Sequence, residues 1–249
     1  MEHICLNCNN QLHEKFCSNC GQKTSTHRYS IQHFVTHDLV HEILHVDKGV
    51  LYSIKELFMR PGHIVREYIQ GKRVGITNFI TLIIIILTAS ALLVEYTHIK
   101  LSDLIGTESS KQMMQSLEKF STKYPKLFLL ILIPINSFFS FLWFKKAKFN
   151  YSEHLVLNSY KTVATLFVGL LFSILTIFYT DIKVLKIIYN TIISGFGIFY
   201  DIWFFYQFFS TSGYSKKALI FRGILVVISF TMFTGITTAI YFFMTLKRH

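Results

Sequence analysis

Five apolar runs, each close to the length that crosses a membrane, limit what this chain can fold into. They lie at about 76–96, 127–144, 159–180, 187–209 and 223–246. A helix rises ~1.5 Å per residue, so about 20 apolar residues traverse a hydrocarbon core of ~30 Å. A lipid-exposed loop or open strand leaves backbone groups unsatisfied at that depth, so the runs predict a mainly α fold with a bundle of about five transmembrane helices. Composition agrees, because 51% of the 249 residues are hydrophobic and only 16% are charged, against about 25% charged in soluble domains.

The polar part of the chain precedes these runs and holds all four cysteines and most of the histidines. Its first 30 residues contain no apolar stretch of the signal-peptide kind. The organisation expected is therefore a small module over 1–28, cytosolic amphipathic helices over 29–75, and a transmembrane helical domain over 76–249.

Within the module, CLNCNNQLHEKFCSNCGQK contains two Cys-x2-Cys pairs separated by eight residues. Each pair can turn two thiolates onto one tetrahedral ion, and Gly21 after the second pair suits a backbone that must adopt positive φ. Cys5, Cys8, Cys17 and Cys20 are thus the expected ligands of a structural zinc ion in a four-cysteine zinc ribbon. Two disulfides or four unrelated thiols are the alternative, but a segment this short has no other means of building a core. Bound zinc requires reduced thiols, which places this end in a cytosol. Four thiolates around a divalent ion carry net negative charge, and the chain's net +11 arises mostly beyond residue 75. Nucleic acid is therefore not an expected partner.

Between module and membrane, Ile31, Phe34, Val35, Leu39, Ile43 and Val46 share one helical face, with His33, His37, His41 and His45 along the opposite one. HEILH matches the HExxH pattern, in which two histidines one turn apart hold zinc and the glutamate acts as general base. A metalloprotease centred on His41, Glu42 and His45 also needs a third ligand and a substrate cleft, and no companion motif supplies either. The leading reading is a solvated or headgroup-facing helix surface, with His37, His41 and His45 forming at most a weak metal site. A second helix is expected from about Leu51 to Phe58, broken at Pro61-Gly62 and resuming through Tyr68 and Ile69, with both pieces lying at the membrane interface or covering the ends of spans. The connection 97–126 is expected to carry a short amphipathic helix through Met113, Leu117 and Phe120.

With the amino end inside, Lys145, Lys146, Lys148, Lys216, Lys217 and Arg222 face the cytosol, as the positive-inside rule asks; the basic 97–126 connection opposes it. Among polar groups expected inside the bundle are Asp201, Lys161, Arg222 and His154. An ionisable group in hydrocarbon costs at least a few kcal/mol unless paired or hydrated. Asp201 is about 12 Å of helix rise from the cytosolic end of its span, on a level that Lys161 or Arg222 of the neighbouring spans can reach. A packing ion pair is favoured over a proton or substrate pathway.

FCSNCGQK, DKGVLYSIKELFMRPGHIVREYIQGKR and YSEHLVLNSYKTVATLF, in that order, resemble an uncharacterised bacterial family of zinc-ribbon multispan membrane proteins, a domain of unknown function. The likeness extends over nearly the whole chain. One departure is Ile76-Thr77-Asn78-Phe79, where family members often have an aromatic residue and a proline. The resemblance implies an architecture and a bacterial cytoplasmic-membrane location, but no activity.

The expected function is a non-enzymatic scaffold or assembly factor whose ribbon docks a cytosolic protein and whose spans contact membrane lipid. A small-molecule or lipid transporter using Asp201 is the alternative, and the metalloprotease stands third. The sequence sets no oligomeric state.

Overall fold

In the computed structural model, residues 3–24, 49–97, 99, 101–104, 115 and 123–246 are described. The module opens with an antiparallel pair, β1 (His3–Ile4) and β2 (Gln11–Leu12), in which His3 faces Leu12 and Ile4 faces Gln11. Phe16 and Lys23 form a matching bridge around the second cysteine pair.

Two short helices follow, α1 (Gly49–Met59) and α2 (Pro61–Ile69). Pro61 ends the first and starts the second, since its fixed φ suits the first helical position and its missing N–H is not needed there. Of the two placements expected for these helices, the membrane interface or the ends of spans, α2 takes the second: it is largely enclosed by protein, with Pro61, Gly62, Ile64, Val65, Tyr68 and Ile69 buried. Arg60 bridges Glu56 of α1 to Glu67 of α2, the latter at 3.0 Å, and ties the two helices across the break.

The long helices are α3 (Phe79–Leu93), α4 (Pro125–Trp143), α5 (Tyr151–Phe178), α6 (Ile182–Phe209) and α7 (Lys216–Leu246). Among the described residues, four stretches are long and apolar enough to cross a membrane, namely Phe79–Tyr96, Tyr151–Phe178, Ile182–Phe209 and Lys216–Ile240, and they mark a multi-pass membrane protein. The expected 127–144 span is represented by a shorter apolar stretch, Phe128–Trp143. A single helical turn at Leu101–Leu104 lies in the connection after α3. The helix expected through Met113, Leu117 and Phe120 falls outside the described residues.

Boundaries differ from hydropathy where local chemistry overrides it. Helix α5 starts eight residues before the expected position 159, because Asn150 and Glu153 form a capping box, with hydrogen bonds of 2.7 and 2.9 Å. The polar character of Ser152, Glu153, His154 and Asn158 hides that start from a hydropathy reading. Helix α6 starts at Ile182 rather than 187, capped by the Asp181 carboxylate, and changes to π geometry over Ile188–Ile193. Helix α3 starts at Phe79, where Asn78 accepts a hydrogen bond from the N–H of Ile80 at 2.8 Å.

The buried core sits at one end of the bundle, where α1, α2 and the adjoining ends of α3 to α7 meet. Phe144 stacks on Phe209 with centroids 3.9 Å apart, and Phe204, Phe205 and Phe208 complete an aromatic cluster. Tyr160 lies edge-on to both Tyr68 and Phe79, and its hydroxyl donates to the carbonyl of Thr77. Farther along the bundle the helices expose Leu130, Phe178, Ile187 and Phe199. Such a belt is what hydrocarbon, rather than water, would cover.

Gly62 sets how closely α2 approaches α6. A Cβ at this position would lie 2.2 Å from the nitrogen of Phe208 and 2.5 Å from the carbonyl oxygen of Phe204. One turn on, Arg66 reaches the end of α6, its Nη1 donating to the carbonyls of Gln207 and Phe208 and the hydroxyls of Ser210 and Thr211 at 3.0–3.2 Å. A cation on the last carbonyls of a helix complements both their unsatisfied acceptors and the helix dipole. Arg66→Ala is expected to cost about 1–2 kcal/mol, read as a lowered melting temperature of the detergent-solubilised protein. Arg66→Lys should recover only part of it, because an ammonium cannot also replace the second guanidinium nitrogen, Nη2, which contacts His63 Nδ1 at 2.7 Å. Equal melting of all three proteins would contradict the capping role.

Candidate metal centre and intramembrane polar site

The two cysteine pairs occupy equivalent turns. Cys5 N–H donates to the carbonyl of Asn10 at 2.8 Å, and Cys17 N–H donates to the carbonyl of Gln22 at 2.8 Å. Asn9 N–H returns to the carbonyl of Cys5, as Gly21 N–H does to that of Cys17. Asn9 and Gly21 both have positive φ, 60° and 76°. Glycine takes this conformation freely, and asparagine is among the side chains that tolerate it best.

These turns bring the four sulfurs together. Cys5 Sγ lies 3.6 Å from Cys20 Sγ and Cys8 Sγ 3.5 Å from Cys17 Sγ, and all four lie within 4.8 Å of one another. A tetrahedral ion with metal–sulfur distances of about 2.3 Å separates its sulfurs by about 3.8 Å. All four cysteines are free, and the contacts are far longer than a disulfide bond of ~2.05 Å. The residues therefore fit a single metal ion with four thiolate ligands. Without a metal the thiols ionise unequally. Cys8 is lowered to about 6, chiefly by hydrogen bonding to the Asn10 backbone and the Asn19 side chain. Although the Gln22 backbone lowers Cys20, desolvation and the neighbouring Cys8 and Cys5 sulfurs raise it to about 11. A divalent cation would hold all four as thiolates, releasing protons as it binds.

The module rests on the connection between α2 and α3. Gln22 Oε1 accepts from the N–H of Arg73 at 3.1 Å. Leu6 packs so closely on Gly71 that a Cβ there would meet its side chain at 2.6 Å, and Gly71 has φ +105°. His37, Glu42, His41 and His45 lie outside the described residues, as does the rest of the histidine stripe.

Of the intramembrane residues, Lys161 and Asp201 meet. Lys161 Nζ donates to Asp201 Oδ2 at 2.7 Å, and its ammonium also lies 5.5 Å from the centre of the Phe205 ring. Side-chain exposure is 7% for Lys161 and 22% for Asp201, so the pair is largely shielded. Arg222 is not a partner of Asp201. Its guanidinium donates to the carbonyl of Trp143 and lies over the Tyr214 ring at 4.8 Å. It thereby ties α7 to the end of α4.

His154 is buried between Phe141 and Phe209. The Ser140 hydroxyl lies 3.0 Å from the carbonyl of Ser137 and 2.9 Å from His154 Nδ1, and accepts from Asn158 Nδ2 at 2.9 Å. His154 Nε2, Asn158 Oδ1 and Asn136 Oδ1 are buried polar atoms with no hydrogen-bond partner among the described residues. Ser140 and Asn158 were not singled out from the sequence. A signal was present on α5, where His154, Asn158, Lys161 and Thr165 recur at intervals of four, three and four, one helical face.

A small cavity opens beside the ion pair, bordered by Asn136 of α4, Lys161 and Thr165 of α5, Ser194 and Asp201 of α6 and Phe230 of α7.

Residues 47–90 match a family described as a protein of unknown function, DUF3667. The matched segment contains α1, α2 and most of α3, and so includes Gly62 and Arg66. No curated protein matches the chain, and no solved structure does.

Proposed function

We infer that the chain is a non-enzymatic membrane scaffold or assembly factor, whose N-terminal zinc ribbon docks a cytosolic protein. The observation that carries this reading is a closed four-sulfur centre flanked by outward-facing apolar side chains. Zinc is the ion best suited to four thiolates in a tetrahedron, and such a shell leaves no open position for water or substrate. The metal's role is then to hold the module together. Ile4 and Phe16, each just before the first cysteine of its pair, are 57% and 53% exposed. Exposed aromatic and aliphatic anchors on so small a module fit a protein partner.

Thiolates that must stay reduced favour the cytosolic side. Lys145, Lys146, Lys148, Lys216 and Lys217 lie in or beside the connections at the same end of the bundle as the module, which agrees with the positive-inside rule. Together these support an amino end on the cytosolic side of a bacterial cytoplasmic membrane. The protease reading of His41, Glu42 and His45 gains no observation from the described residues. The transport alternative is favoured by one, the cavity beside the Lys161–Asp201 pair.

A photo-crosslinking side chain placed at Phe16 of the full-length protein in cells tests the docking reading. A discrete protein adduct is expected, absent when Cys17→Ser is added and absent when the crosslinker sits at the exposed bundle position Phe199. An adduct that survives Cys17→Ser, or none from Phe16, would contradict it.

A further inference from the structure

The cavity between α4, α5, α6 and α7 has a volume of about 260 Å³. That is slightly below the roughly 300 Å³ at which drug-sized pockets begin, and suits a small polar group. Asn136 is 7% exposed and borders this space, and its Oδ1 has no hydrogen-bond partner among the described residues. A buried amide oxygen without a donor is destabilising, so the site calls for one. Beside it, Asp201 receives Lys161 on Oδ2, and a carboxylate has further lone pairs to offer. The lysine ammonium carries three hydrogens and needs only one for that bond.

The charges in the site sum to zero. A simple cation or anion entering it would bring an uncompensated charge into a low-dielectric region, whereas a molecule carrying both signs would not. On one flank the cavity is bounded by Ser194, Gly197, Ile198 and Thr231, all exposed among the described residues. Ile198 is 54% exposed and lies on the membrane-crossing part of α6. The opening therefore faces the level that lipid would occupy.

We propose that this cavity binds a zwitterion with a primary ammonium group, either the headgroup of phosphatidylethanolamine entering sideways or a free molecule of the same chemistry. The ammonium donates to Asp201 and, after a half-turn of the Asn136 carboxamide that exchanges its nitrogen and oxygen, to Asn136 Oδ1, and the anionic oxygens accept from the remaining hydrogens of Lys161. This site is separate from the docking role of the N-terminal module, because binding is read on the membrane domain and crosslinking on the module.

The test uses the full-length protein in nanodiscs of equal phosphatidylethanolamine and phosphatidylglycerol, analysed by native mass spectrometry. Wild type is expected to retain one phosphatidylethanolamine under activation that strips the surrounding lipids. Asn136→Leu should reduce that retention about tenfold or more, as expected for losing a hydrogen bond to a charged group. Its melting temperature in lipid-free detergent should be unchanged or higher, because an unpartnered buried oxygen has been removed. Ile198→Trp, an exposed substitution that should fold normally, narrows the opening and should also reduce retention. Glycerophosphoethanolamine, a phosphodiester with one ammonium and no net charge, separates the two sources. If it raises the melting temperature of wild type but not of Asn136→Leu, the site takes the free zwitterion; if only the lipid is retained, the lipid headgroup is the ligand. Equal retention of both lipids with no effect of glycerophosphoethanolamine overturns the proposal. So does undiminished binding in both variants, or a lower melting temperature of lipid-free Asn136→Leu, which would make Asn136 a packing residue.

Discussion

Cys17→Ser is expected to release the bound ion and unfold the N-terminal module while leaving the helical bundle in place. Free energies of structural zinc binding in small modules are on the order of 10–16 kcal/mol near neutral pH. The segment 3–24 has two short strands and few buried apolar side chains besides Cys5 and Cys17. Without the ion nothing of comparable size holds it. Zinc stoichiometry should fall from one per chain to near zero, and proteolysis should newly cut within the first 24 residues. A strong chelator should give the same cleavage in the wild type. Acid should act in the same direction, because protons compete for thiolates. The ion should be released progressively as pH falls, at a pH below that at which the metal-free thiols ionise, because the bound cation favours their thiolate forms. An unchanged zinc content in Cys17→Ser would remove this residue from the shell.

Asp201→Leu should be the most damaging single change in the transmembrane domain. It strands the Lys161 ammonium, 7% exposed, without its carboxylate. Breaking one side of a buried pair costs about 3–5 kcal/mol. Asp201→Asn keeps the shape and an acceptor and should cost less. The informative variant is Asp201→Leu with Lys161→Met, since replacing both members of a buried pair by apolar residues is often close to neutral. Melting in detergent should therefore be lowest for Asp201→Leu and substantially restored in the double variant, a non-additivity that reports the coupling directly. If the double variant falls as far as the sum of the singles, the two residues stabilise the bundle independently.

The four-cysteine cluster was legible because its determinants are local. Two Cys-x2-Cys pairs set which sulfurs come together, and Gly21 specifies the turn. Asn9 plays the part of Gly21 in the first turn but escaped notice, since asparagine advertises positive φ far less clearly than glycine. The middles of the long helices were also legible, from apolar length alone. Their starts were less so, because the capping of α5 by Asn150 and Glu153 lies in a stretch whose polarity argues against a span.

Long-range partnerships were harder to read. Pro61-Gly62 announces a break, yet the contact of Gly62 with Phe204 and Phe208 depends on how two helices some 140 residues apart cross. Arg66 gives no sign in sequence that it caps α6. For Asp201, depth in the membrane left both Lys161 and Arg222 as candidates. The choice depends on the rotation of α5 and α7 about their axes, which directs Arg222 to Trp143 and Tyr214 instead.

X-ray absorption at the zinc edge of the purified full-length protein measures the central claim most directly. The account predicts one zinc per chain with four sulfur ligands at about 2.3 Å and no nitrogen or oxygen in the shell. A shell containing imidazole nitrogen or water, or a protein with no metal and its cysteines joined as disulfides, would contradict it.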